Sequence, residues 1–95
     1  MNREEHLLII LAEECAEVQK CITKTLRFGP RDHYKELPLN IDSLHDEIAD
    51  LLGTIWKLQE IGFLKEIDSN RIEAKKAKIE RMMEYSRNVG TLTQD

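Results

Sequence analysis

The chain has 95 residues, 41% of them hydrophobic, with 18 Asp and Glu against 14 Lys and Arg. That length fits a single domain with a small core, and the acidic balance argues against a general nucleic-acid binder, whose Lys and Arg must neutralise phosphates in bulk. The apolar run Leu7 to Leu11 is far too short to cross a bilayer, and the N-terminus has no basic stretch ahead of a long apolar one, so a cytoplasmic protein without a membrane partner is expected.

Asn2 with Glu5 three positions on forms a capping-box pattern. Leu7, Leu11, Cys15, Val18, Ile22 and Leu26 then recur at steps of three and four, which predicts an amphipathic helix to about Leu26. On that wheel Glu14 lies at the margin of the apolar stripe and Glu17 further round. Cys15 and Cys21 are six apart on the same helix, point in different directions and cannot bridge. They read as small hydrophobes in a reducing compartment.

Phe28 to Leu39, punctuated by Gly29-Pro30 and Leu37-Pro38, predicts a long loop, with Phe28 and Tyr34 as packing anchors or as parts of a site. Asn40 is the expected cap of a second helix whose face Leu44, Ile48, Leu51, Leu52, Ile55, Trp56 and Leu58 continues to Ile61, with Gly62 as its stop. After a Phe63–Ile67 link, Asn70 and Glu73 repeat the capping-box pattern before a third helix from about Arg71 to Arg87. No stretch alternates as a strand does. The expectation is an all-α fold, an antiparallel bundle of three to four helices over residues 1–87, with 88–95 a polar tail. Inward-pointing acids weaken a small core, so completion of the bundle by homo-oligomerisation is expected.

The acids carry the chemistry. Glu14-x-x-Glu17 and Glu47-x-x-Asp50 each put two carboxylates on one helical face. Packed together they would bring four negative groups to one place, tolerable only around a cation. An oxygen-only donor set suits Mg²⁺, and Mn²⁺ fits it too. Zinc lacks Cys and His at ligand spacing. Iron would want Glu-x-x-His pairs, and Asp42-x-x-His45 is a poor substitute on another face. Such a site supports in-line hydrolysis of a phosphoanhydride, with a spare carboxylate taking the proton of water. The basic run Lys75, Lys76, Lys78 and Arg81 on the third helix is either a solvated face or a source of phosphate contacts.

Glu13-Glu14-x-x-Glu17 followed by Glu47-x-x-Asp50 resembles the E-E-x-x-E … E-x-x-D signature of the MazG-like, all-α nucleoside triphosphate pyrophosphatases. Leu11 to Val18, Ile48 to Leu52 and the step Arg27-Phe28-Gly29 resemble small members of the type often carried by bacteriophages, over roughly residues 5 to 87. The resemblance implies a dimer or tetramer with Mg²⁺ on Glu14, Glu17, Glu47 and Asp50, the same four residues being catalytic. It implies cleavage of a nucleoside triphosphate between the α and β phosphates, giving a monophosphate and pyrophosphate. It also directs attention to Lys75, Lys78 and Arg81 for the phosphates, and to Phe28, His33, Tyr34 or Trp56 for the base. The gap between Glu17 and Glu47 is at the long end for the signature, which leaves the nucleotide open, a guanosine alarmone included. The rival reading is a helical interaction module without catalysis, using Glu14 and Asp50 only in salt bridges.

Overall fold

The computed structural model describes residues 1–93. It holds three helices, α1 (Arg3–Phe28), α2 (Asn40–Glu60) and α3 (Ser69–Asn88), and no strand among the described residues, so the fold is all-α. The described chain divides into two compact units, Met1–Lys65 and the residues from Glu66 on.

The first unit is a helical hairpin. Asn2 caps α1 as its sequence predicts: its side chain accepts from the Glu5 amide at 2.8 Å, and the Glu5 carboxylate accepts from the Asn2 amide at 3.2 Å. α1 ends at Gly29, whose φ of 94° favours a residue without a β-carbon. Residues 29–39 carry no helix and lead back toward the start of α2. Asn40 does not cap α2. Leu39 holds that position, without a side-chain bond. The Asn40 and Ile41 amides donate instead to the carbonyls of Asp32 (2.8 Å) and Pro30 (3.0 Å), while the Asn40 side chain donates to the Gly29 carbonyl at 2.9 Å. Backbone carbonyls of the loop thus do the work expected of a side-chain cap. α2 closes at Gly62, φ 80°, where the Phe63 and Leu64 amides both donate to the Leu58 carbonyl.

α1 packs on α2. Gly29 meets Asn40 at the loop end while Glu14 meets Glu47 and Asp50 further along, so the helices run antiparallel. The half-buried positions include Leu7, Leu11, Glu14, Val18 and Cys21 on α1 and Leu44, Glu47, Leu51 and Ile55 on α2, beside the fully buried Leu58. Each set steps by three or four, the mark of one helix face laid on another. The outcome departs from the expected core. Cys15, Ile22 and Leu26 lie outside it, as do Ile48 (41% exposed), Leu52 (37%) and Trp56 (57%). The last three are four apart and form a second apolar stripe along α2. Leu58 is the only apolar residue wholly removed from solvent among the described residues.

In the second unit, α3 starts two residues earlier than the Asn70–Glu73 pattern predicts. Asp68 is the cap, its carboxylate accepting from the Asn70 amide at 2.9 Å. The helix continues one residue past Arg87. Gly90, φ 85°, then lets the Thr91 and Leu92 amides return to the Ser86 carbonyl, so the start of the expected 88–95 tail is a structured helix end. Gln94 and Asp95 lie outside the described residues. None of α3 is buried, as its charge-rich composition anticipates.

Candidate metal centre

Glu14 occupies the middle of the inward stripe of α1, between Leu11 and Val18, rather than its margin. Glu47 holds the equivalent place on α2, between Leu44 and Leu51. Asp50 follows Glu47 by three residues, about 60° round the helix, and is exposed. One carboxylate oxygen from each of Glu14, Glu47 and Asp50 lies within 4.8 Å of the others. The antiparallel packing is what brings them together, since Glu14 is separated from the other two by the whole loop.

The electrostatics of the cluster are unfavourable as it stands. Oε2 of Glu14 is buried and has no hydrogen-bond partner, a condition that costs about 1–3 kcal/mol for a neutral group and more for a charged one. The Glu47 carboxyl is pushed above its ordinary value, first by desolvation and then by the negative charges of Asp50, Glu14, Glu17 and Asp46. No amine or guanidinium bridges to any of these acids in the salt bridges of the described residues, which link Lys57 to Glu60, Lys76 to Glu73 and Arg87 to Glu84. A hard divalent cation would satisfy the orphaned oxygen and relieve the repulsion together, and the all-carboxylate donor set fits Mg²⁺ or Mn²⁺.

Of the four acids expected at the centre, Glu17 stands apart. It lies about 60° round α1 from Glu14, is exposed, and is not among the converging three, although its charge still reaches Glu47. Glu17 and Glu47 instead share the wall of a cavity of about 420 Å³ between α1, α2 and the loop joining them. Phe28, Tyr34, Leu37 and Pro38 give it an apolar side. Phe28 thus falls where a ligand-binding role would need it. Trp56 does not border the cavity and belongs to the exposed stripe of α2.

Lys75 and Lys78 border a shallow groove on the second unit, floored by Ile79, Met82 and Met83; Arg81 is exposed and does not border it. The basic residues on the cavity beside Glu47 are Lys20 and Lys24, which the sequence reading passed over. A signal for them existed. Glu17, Lys20, Cys21, Lys24 and Phe28 recur at helical spacing and so form one face of α1, continuing past the acids toward the loop. The Cys21 thiol on this face is pushed above its ordinary value, by burial first and the Glu47 charge next, with Lys24 only partly opposing them, a setting that disfavours the thiolate. Both cysteines are free, and Cys15 is exposed rather than a buried hydrophobe.

No helix among the described residues is long and apolar enough to cross a membrane. No family model, curated protein or solved structure matches the chain.

Proposed function

We propose that this protein is a MazG-like, Mg²⁺-dependent nucleoside triphosphate pyrophosphohydrolase, working as a cytoplasmic homo-oligomer. The observation that carries the reading is the meeting of Glu14, Glu47 and Asp50 across two helices, with a buried Glu14 oxygen left unpartnered. Those three residues would hold the ion. When bound, the ion offsets the charge of the phosphates and acidifies water. Glu17, outside the converging three, is free to accept the proton of the attacking water. In the overall reaction water adds across the α–β phosphoanhydride bond, and pyrophosphate leaves as the monophosphate forms. The hairpin buries a single apolar side chain completely and leaves Ile48, Leu52 and Trp56 uncovered, which supports completion of the bundle by a second copy.

The test is a screen of nucleoside triphosphates and guanosine alarmones with Mg²⁺, with products identified by mass. Glu47→Ala should lower turnover by at least about a thousandfold, since it removes a ligand of the ion on which the electrostatic stabilisation depends, while far-ultraviolet circular dichroism stays that of the parent. Normal turnover in that variant would remove the acids from the chemistry. A melting point that ignores Mg²⁺ in the parent protein would favour the non-catalytic helical module, because an ion specific to the folded form must raise it.

A further inference from the structure

We infer that the cavity beside Glu47 seats the base and sugar of the nucleotide, and that Lys20 and Lys24 of α1, rather than the basic run of α3, hold its phosphates. The assignment rests on the proposed function and names the substrate contacts of the same site. Three observations carry it.

The cavity is contiguous with the acid cluster, because Glu47 belongs to both. Its volume of about 420 Å³ falls within the roughly 300–1,000 Å³ of small-molecule sites. Its walls differ in kind along its length. Phe28 and Tyr34 are well-exposed aromatic rings, each with a cation over one face, the Arg27 guanidinium 4.8 Å from the Phe28 centroid and the Lys35 amine 5.2 Å from that of Tyr34, so a planar base would stack on the opposite faces. Asn40 and Ser43, at the start of α2, also line the cavity; the Asn40 side-chain nitrogen donates to the Gly29 carbonyl, and its oxygen is an acceptor suited to a ligand's N–H. The two ends of the loop that carries Tyr34 are tied together by the bonds of Asn40 and Ile41 to the Gly29, Asp32 and Pro30 carbonyls, and His33 Nδ1 donates to the Lys35 carbonyl at 2.8 Å within it, which orders this wall without a ligand.

The lysines are the third observation. Both line the cavity, on the α1 face that also bears Glu17 and Cys21. Lys24 is half-buried, and neither amine takes part in a salt bridge. Two amines on one wall of a cavity, with no salt bridge to occupy them, are ready charge-assisted contacts for an anionic ligand. The acids on the same walls are Asp32, on the loop, and Glu17 and Glu47, on the side of the cluster. The tail of phosphates therefore runs from the lysines toward Glu47, where the cation neutralises the carboxylates, and the base lies at the Phe28–Tyr34 end.

The experiment compares Lys20→Gln/Lys24→Gln with the charge-matched control Lys57→Gln/Lys76→Gln, whose amines sit in exposed pairs with Glu60 and Glu73. Two readouts are taken on the full chain with Mg²⁺: KM and kcat for pyrophosphate release from the four common deoxynucleoside triphosphates, and the melting shift produced by their non-hydrolysable α,β-imido analogues. For the cavity pair we expect KM to rise by at least about tenfold with kcat within about threefold, and the analogue-induced shift to disappear, as loss of charge-assisted contacts requires. The control should match the parent in both. Tyr34→Ala should narrow the spread of KM among the four substrates. Unchanged KM and shift in the cavity pair, in a parent that turns over, overturn the lysine assignment and leave the proposed activity standing. An analogue shift that the cavity pair abolishes, in a parent that releases no pyrophosphate, sinks the activity and supports the cavity as a nucleotide site. A parent that responds to no analogue overturns the assignment, and an unchanged spread for Tyr34→Ala overturns its base-seating half.

Discussion

At the scale of single residues, the decisive feature is a carboxylate oxygen placed where neither water nor a donor reaches it. Glu14 stands among Leu11, Val18 and the acids of α2, so its charge opposes folding unless something positive arrives. Glu14→Gln keeps the shape and removes one of three clustered charges. Without divalent ions the variant should melt above the parent, by about 4–8 °C if the relief is about 1 kcal/mol, and Mg²⁺ should no longer raise it. Equal midpoints for variant and parent in chelator, with an intact Mg²⁺ shift, would show that Glu14 is not a ligand. The raised Glu47 carboxyl makes a second prediction with a definite sign. The folded chain binds this proton more tightly than the unfolded chain, so in chelator its contribution favours folding at low pH. That contribution is lost as pH climbs from the ordinary value of 4.5 through the raised one. In saturating Mg²⁺ the order reverses, because cation and proton compete for the same oxygens and the ion's stabilisation grows with pH. Melting points measured from pH 4 to pH 8 with chelator and with Mg²⁺ should diverge; parallel curves would dissociate Glu47 from the ion.

At the scale of elements, the helices were plain from spacing and their ends less so. The Asn2–Glu5 box and the Gly62 stop act as their chemistry predicts, because each depends only on neighbours in the chain. Asn40 does not, because its amide is claimed by Gly29, eleven residues earlier, and loop carbonyls replace it at the helix start. Propensity cannot foresee a bond made by a loop's return. Asn40→Ala should therefore act on the loop and not on α2. We expect a loss of about 1 kcal/mol, the usual value of one such bond, unchanged helical signal, and faster tryptic cleavage at Arg31 or Lys35. If the helical signal falls instead, Asn40 is serving as a cap after all. The same reasoning explains the sequence's preference for Lys75, Lys78 and Arg81 as phosphate contacts. A dense basic run is conspicuous in sequence, whereas Lys20 and Lys24 gain their interest only once α2 and the loop are laid against them.

At the scale of the whole molecule, the ratio of covered to uncovered apolar surface matters most. Ile48, Leu52 and Trp56 repeat every fourth residue along α2, a stripe as regular as the one that packs on α1. For a monomer, a charge at Leu52 would be an ordinary surface change, within about 0.5 kcal/mol. If a second copy covers the stripe, Leu52→Glu should dissociate the assembly and lower its melting point in a concentration-dependent way. Light scattering after size exclusion decides the matter: a parent already monomeric at micromolar concentration would leave this stripe without an oligomeric role. Sequence alone determined the all-helical class, the approximate extent of the three long helices though not whether a fourth follows, and the acids worth following, since these depend on periodicity and on contacts within a few residues. Only the tertiary structure decided that Glu14, Glu47 and Asp50 converge while Glu17 turns to the cavity, and that Phe28 borders that cavity while Trp56 does not. Helical phase places a side chain on a face, but which face meets which is settled by how two helices lie against each other, and no local rule encodes that.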